Sequence, residues 1–399
     1  MLKIHPSSIR ADLVLICNKG TDNKEESPKA GSKPKVSLVQ LASAIVLLTA
    51  VSIGVIGKTK PGVFLRIPQV GFIFWAITGN PVPPYFDEGC LYESNFKQQV
   101  QDGDVIVSSG AKAGTLWLQN IVFLLRSGGW DDFDSLTDTG GSCEFLMYPE
   151  HTMEQRLQEV QEKRRRMQER GIQHMQHFTH QFPAPHLYGL DPAKNPNIKY
   201  LAIVRHGKEV VRSIHPFING HTEEFRTMWG GFPPKFKAPQ DTLKFFIQDV
   251  PDLYFGHLLA WWKVKDLSNV LLIHFADLRH NPRQVIQDIA QFLNVQVDDD
   301  LMQVVLDKTS HEYMSSAHNQ RTFKYEAIFG YPHEKRRPFV QEGVHISKEQ
   351  GGRLDRGGEF FTKEMSQQWE AAMQQYFGHD PVLMKFANEG SVALNKKED

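Results

Sequence analysis

Three clusters in this 399-residue sequence have the residue types and spacing to hold an anion and move a proton. The first is Ser108-Ser-Gly-Ala-Lys-Ala-Gly-Thr-Leu-Trp117, between a β-branched run and a stretch of helical apolar spacing. A glycine-containing turn between a strand and a helix aims successive N–H groups at one place. The helix N-terminus adds partial positive charge and Lys112 a full one, which makes a cradle for phosphate or a related group. This is not the nucleotide loop ending in Gly-Lys-Ser/Thr, because Lys112 stands two residues before Gly114. The second cluster is Val204-Arg205-His-Gly-Lys-Glu-Val-Val-Arg-Ser213. An arginine at the carboxyl end of a parallel strand faces the crevice where α/β sheets bind ligands. Ser213, about two helical turns on, returns a hydroxyl towards it. An ordinary strand-to-helix turn with surface charges would read the same way. The third is Gln176-His-Phe-Thr-His-Gln-Phe-Pro183. His180, before a proline turn and near the end of a short strand, is a candidate general base. His174, His177 and His180 recur at a spacing of three, which leaves a metal reading open. A loop containing Phe and Pro presents them poorly to one ion.

The elements that must position these clusters alternate. Asp104-VIVSS, Lys199-YLAIV and Val270-LLIHF are short apolar runs rich in β-branched residues. Each is followed by helical spacing: TLWLQNIVFLL from Thr115, KEVVRSIHPF from Lys208 and NPRQVIQDIAQFL from Asn281. Repeated strand–loop–helix units predict an α/β fold with a parallel sheet flanked by helices. Met153 to Arg170 reads as a charged helix stopped at Gly171, with Arg164-Arg165-Arg166 as a solvated face.

Ahead of this body the chain changes character. Residues 1–36 are polar and read as a disordered tail. Residues 37–57 carry no charge, and at about 1.5 Å of rise per residue they span a bilayer core of about 30 Å. A transmembrane helix is expected there, with a buried core helix as the alternative. Residues 58–84, with prolines and the aromatic run FIFWAITG, read as a juxtamembrane linker. The body is placed at 85–389 and a polar tail at 390–399. Lysines before the span favour a cytoplasmic N-terminus and a luminal body in the Golgi or ER. The lack of an Asn-x-Ser/Thr site and the Lys396-Lys397-Glu398-Asp399 ending favour a cytosolic body.

Composition narrows the classes further. Apolar residues make up 41%, with 26 Phe and 7 Trp, which fills a sizeable core. Lys and Arg total 45 against 46 Asp and Glu. No global basic field exists to hold nucleic acid, so an anionic ligand needs a local site. Cys17, Cys90 and Cys143 lack metal-ligand spacing.

Together the motifs resemble the sulfotransferase family, in particular the soluble type that uses 3′-phosphoadenylyl sulfate (PAPS). Ala111-Lys-Ala-Gly-Thr-Leu-Trp117 is similar to the family's Pro-Lys-Ser-Gly-Thr-Thr-Trp. Phe178-Thr-His-Gln-Phe-Pro183 resembles Lys-Thr-His-Leu-Pro. Arg205 to Ser213 resembles Arg-Asn/Asp-x-Lys-Asp-x-x-x-Ser, and Thr309-Ser-His-Glu-Tyr-Met314 resembles Thr-Ser-Phe-x-x-Met. The departures are Ala113 for serine, Leu116 for threonine, Phe178 for lysine and Phe275 where a tyrosine often sits. For the C-terminal basic glycine motif two placements stay open, Pro338 to Gly343 and the stretch around Gly352, Arg353 and Arg356.

The resemblance implies a three-layer fold like that of P-loop nucleotide kinases. It implies sulfonate transfer from PAPS to a hydroxyl or amine, with adenosine 3′,5′-bisphosphate as product and no bound cofactor or metal. His180 would be the base, and Lys112, contacted by Ser213, would stabilise the leaving oxygen. Backbone amides of Lys112, Ala113, Gly114, Thr115, Leu116 and Trp117 would hold the 5′-phosphate, with Trp117 on the adenine. Arg205, Ser213 and the Gly352-Arg353 segment would hold the 3′-phosphate, and Thr309, Ser310 and Met314 would line the nucleotide site. The acceptor is a small molecule, hydrophobic or lipid-like, or a glycan for a luminal body. A non-catalytic relative that binds nucleotide or a partner is the second reading, and a P-loop kinase or NTPase the third.

Overall fold

A computed structural model describes residues 93–133, 135–142, 152–183, 190–229, 231–316 and 360–390, with Ser43, Leu48, Thr49, Val51 and Ser52. The chain divides into two units, Met1–Ile53 and Gly54–Asp399. In the first, the five described residues are helical and exposed. The expected span at 37–57 lies mostly outside the described residues. Among those described, no helix is long and apolar enough to cross a membrane. The linker at 58–84, the N-terminal tail, residues 391–399 of the C-terminal tail, and Gly352 and Arg353 also lie outside them.

The second unit is built on five parallel strands in the order β2-β3-β1-β4-β5. They are β1 (Val105–Ser109), β2 (Gly140–Ser142), β3 (Gln176–Thr179), β4 (Lys199–Val204) and β5 (Val270–His274). The three expected strands are β1, β4 and β5. Because β1 lies between β3 and β4, the chain leaves it to build one half of the sheet and later returns to build the other. That reversal opens a crevice at the carboxyl ends of the strands.

Side-chain alternation assigns the two faces. Val105, Val107, Leu201, Ile203 and Ile273 pack with α1 (Thr115–Ser127), α5 (Pro282–Leu293) and α6 (Asp299–Lys308). Ile106, Tyr200 and Ala202 turn the other way, onto Trp261 of α4 (Phe255–Val264). Val204 and α3 (Gly207–Asn219) extend this side into a cluster with α7 (Lys363–Phe377) and α8 (Pro381–Glu389). The result is the three-layer arrangement expected. Gly207 permits the closest of these contacts: a Cβ there would lie 2.0 Å from Trp369. Any larger residue would push α7 away from the start of α3.

One expectation is corrected. α2 (Met153–Glu169) opens with a Thr152–Gln155 capping box, as a charged helix should. Its arginine run is not uniformly solvated. Arg165 and Arg166 pair with Glu162 at the surface, but Arg164 is buried. Its guanidinium forks onto Asp104, with Nη1–Oδ1 at 2.9 Å and Nη2–Oδ2 at 2.7 Å. Asp104 stands just before β1 and is fully buried, so it selects one arginine of the three.

Candidate active site

The residues following β1, β3 and β4 converge through contacts between their loops. After β1 the chain turns through Gly110 to Gly114 and enters α1. Lys112 adopts φ +58° and Gly114 φ +113°. Alternating left-handed positions fold the N–H groups into a concave nest. Glycine is required at 114, where a Cβ would meet Phe275 at 3.1 Å and Ile203 at 3.2 Å. No side chain caps α1 at Gly114. Its first-turn amides therefore present the positive end of the helix to the crevice.

Lys112 lies with its ammonium 4.5 Å above the Phe217 ring. Burial, reinforced by Arg205, brings its pKa down to about 7. Arg205, the first residue after β4, donates through Nη1 to the Lys112 carbonyl at 3.4 Å and through Nη2 to Glu209 at 3.0 Å. Burial lowers its pKa as well, outweighing Glu209. Its Nε is buried and without a partner among the described residues. Two cations are thus packed side by side where burial works against both.

Phe275, the first residue after β5, supports this arrangement from below. Arg205 stacks 4.5 Å from its ring and Trp117 meets it edge-on at 5.3 Å. The sequence marks Phe275 only as a departure from tyrosine. Its position directly after a strand was the signal available for its role as a floor. The Trp117 indole Nε1 is buried without a hydrogen-bond partner among the described residues.

His180 directly follows β3. Its Nδ1 lies 2.9 Å from the Ser109 carbonyl, and a carbonyl only accepts. Nδ1 therefore carries the proton, and Nε2 of the neutral ring is left with its lone pair. This is the tautomer a general base needs. The Ser109 hydroxyl lies 3.4 Å from the same Nδ1 and 2.5 Å from the Thr115 hydroxyl. The candidate base His180 and the glycine loop therefore share Ser109, a residue the motif reading passed over. His177 turns instead to Asp104, with Nε2 2.9 Å from Oδ2. The evenly spaced histidines thus serve different partners, and no metal-binding group occurs among the described residues.

The other predicted positions fall as follows. Ala113 and Leu116 are buried, so this loop offers backbone amides where the family pattern has hydroxyls. Phe178 is buried within β3. Ser213 is half-buried on α3, two turns beyond Arg205. Thr309 spends its hydroxyl on the Val305 carbonyl at 2.7 Å, and Ser310 caps the Tyr313 amide at 3.1 Å. Met314 is buried beside them. Asn120 of α1 ties this turn to the site by donating to the Lys308 carbonyl at 3.0 Å.

A sulfotransferase domain model matches residues 102–381, and the chain belongs to that family of enzymes. Human sulfotransferase 1C2 is 22% identical over 222 residues, covering 54% of this chain and 67% of the relative. Rabbit amine sulfotransferase is 23% identical over 282 residues, covering 67% and 82%. Dog sulfotransferase 1B1 is 25% identical over 119 residues, covering 30% of this chain and 38% of that relative's length. Among solved structures, mouse sulfotransferase SULT7A1 complexed with PAP superimposes with a TM-score of 0.54 at 17% identity, covering 75% of this chain and 94% of that one. Retinol dehydratase in complex with retinol and PAP gives 0.50 at 16%, covering 72% and 86%. At these identities the solved structures show a shared fold.

Proposed function

We propose that the chain transfers the sulfonate group of PAPS to a hydroxyl or amine of a small, apolar acceptor. The observation that carries this is the convergence of Lys112, Arg205 and His180 on one crevice, with the histidine proton committed to Ser109. In the reaction, His180 Nε2 takes the proton of the acceptor group as its oxygen or nitrogen bonds to sulfur. The bond from sulfur to the bridging phosphate oxygen breaks in line, and Lys112 meets the charge that develops there. The α1 amides hold the 5′-phosphate, and Arg205, with Ser213, holds the 3′-phosphate through the bidentate geometry of a guanidinium. Trp117 packs on the adenine. Aromatic residues on and after α3, such as Phe217, Phe225 and Phe236, suit an apolar acceptor. The uncharged segment 37–57 would hold the enzyme at a membrane, in keeping with a lipid-like acceptor.

The test is sulfonate transfer from radiolabelled PAPS to a panel of phenols, sterols and amines. His180→Ala and Lys112→Ala should each cost at least about 10²-fold in turnover while leaving the circular dichroism spectrum unchanged. Folded variants that kept most of the activity would overturn the assignment. A second reading, nucleotide binding without turnover, is favoured by Phe178, which takes the place of a cation and is buried in β3. Binding of adenosine 3′,5′-bisphosphate with no transfer to any acceptor would select it.

A further inference from the structure

Behind His180 lies a second, fully buried polar group that the proposed mechanism does not use. Ser108 immediately precedes the residue that anchors the His180 ring. Its hydroxyl lies 2.7 Å from the Gln181 carbonyl, 3.1 Å from His257 Nε2 and 3.0 Å from Trp261 Nε1. Ser108, His257 and Trp261 are each at most 1% exposed, so water does not compete for these bonds. The directions follow from donor counting. A carbonyl only accepts, so the single hydroxyl proton of Ser108 goes to Gln181. An indole N–H only donates, so Trp261 fills one lone pair of Ser108. The remaining lone pair takes the Nε2 proton of His257.

His257 and Trp261 stand four residues apart on α4, one helical turn. Together they saturate the acceptor capacity of Ser108 and leave its proton one destination, the carbonyl of Gln181, the residue after His180. The segment that carries the base is thus held twice by consecutive residues of β1: the His180 ring by the Ser109 carbonyl, and the carbonyl of the next residue, Gln181, by the Ser108 hydroxyl. We infer that His257, acting through Ser108, is a positioning residue that fixes the orientation of the general base His180. Burial, with His180 nearby, brings the His257 pKa down to about 3. The ring therefore stays neutral throughout the working range of the enzyme and acts as a fixed donor rather than a proton carrier. A buried histidine read as ordinary core would pack equally well as phenylalanine, and that substitution separates the two roles.

This inference rests on the transferase reading, and the experiment keeps their failures apart. Full-length wild type, His257→Phe, His257→Gln and Ser108→Ala are compared for transfer from PAPS to 2-naphthol and to an alkylamine. Active sites are counted by calorimetric binding of adenosine 3′,5′-bisphosphate. The expected result is a loss of about tenfold in kcat per binding site for His257→Phe and Ser108→Ala. KM for both substrates should change little, and the acid limb of the kcat/KM profile should move. Glutamine, which restores an N–H near Nε2, should recover most of the rate. In parallel, ¹⁵N-histidine spectra assigned with His180→Gln should show His180 as the Nδ1–H tautomer in wild type and as a mixture in His257→Phe. The spectra need no acceptor. A His257→Phe enzyme with wild-type kcat per site, pH profile and His180 tautomer would overturn the inference. So would a loss that appears only as fewer binding sites, or one that glutamine fails to recover. Wild type that binds nucleotide but transfers to no acceptor would overturn the transferase reading instead, while the spectra still judge the role of His257.

Discussion

At the amino end of β1, Asp104 is buried among partners; beyond its carboxyl end, half-buried Lys112 lies beside another cation. Burial alone would raise the Asp104 pKa, but Arg164 and His177 outweigh it and hold the carboxyl well below the usual range. Backbone amides of Met175 and Gln101 add two further bonds, at 2.8 and 3.0 Å. For Lys112 the two forces act together: burial and Arg205 both push the pKa down, to about 7. A buried charge surrounded by its complements is structural. A cation whose desolvation and cationic neighbour both work against its charge gains most when an anion arrives.

The largest test of this contrast swaps function for stability. Lys112→Ala should abolish transfer and leave the unfolding midpoint near that of wild type. Asp104→Asn should do the reverse, lowering stability by about 3–5 kcal/mol through the loss of one partner of a buried ion pair, as read by urea unfolding at neutral pH. The pH dependence has a definite sign. The folded pKa of Asp104 is depressed, so its contribution is present above the unfolded value of about 4. It is lost as pH falls from there through the folded value, and the Asn variant should not show this acid-dependent loss.

A smaller effect sharpens the other end. An anionic nucleotide raises the Lys112 pKa above its resting value of about 7. Binding should therefore take up a proton above neutral pH, and affinity should weaken as pH rises past 7 by up to about tenfold per unit. Calorimetry of adenosine 3′,5′-bisphosphate in two buffers of different ionisation enthalpy measures that uptake. Lys112→Met should remove it. If both enzymes took up the same number of protons, Lys112 would not be the linked group. A last substitution, Gly114→Ala, probes the loop itself. It should cost about 1–3 kcal/mol of stability and weaken nucleotide binding, because the methyl meets Phe275 and Ile203 in a left-handed conformation.

The candidate site residues were legible because each sits at or just beyond the carboxyl end of a strand. Lys112 and Arg205 follow short apolar runs and His180 follows the short strand β3, and parallel α/β topology collects such positions at one edge. What escaped was set by tertiary contact. Gly140–Ser142 contains nothing but two glycines and a serine, yet it pairs with β3 as an edge strand. Arg164 looks like its two neighbours until Asp104 selects it. Ser109 acts largely through its backbone carbonyl, which every residue possesses, so no residue pattern could single it out. His257 reads as one more core histidine until Ser108 is placed against it.

That both the glycine loop and the candidate base His180 are strapped to the end of β1 has a mechanical consequence. In an in-line displacement, an error of an ångström between nucleophile and leaving group is costly. Were the two groups carried by distant elements, every flexing of the sheet would add to that error. Here Ser109 serves as a common datum: its hydroxyl meets Thr115 of the loop and its carbonyl meets His180. Motions of the outer strands would then displace the loop and His180 together. Side chains elsewhere around the crevice can then vary in size and shape without shifting the two relative to each other.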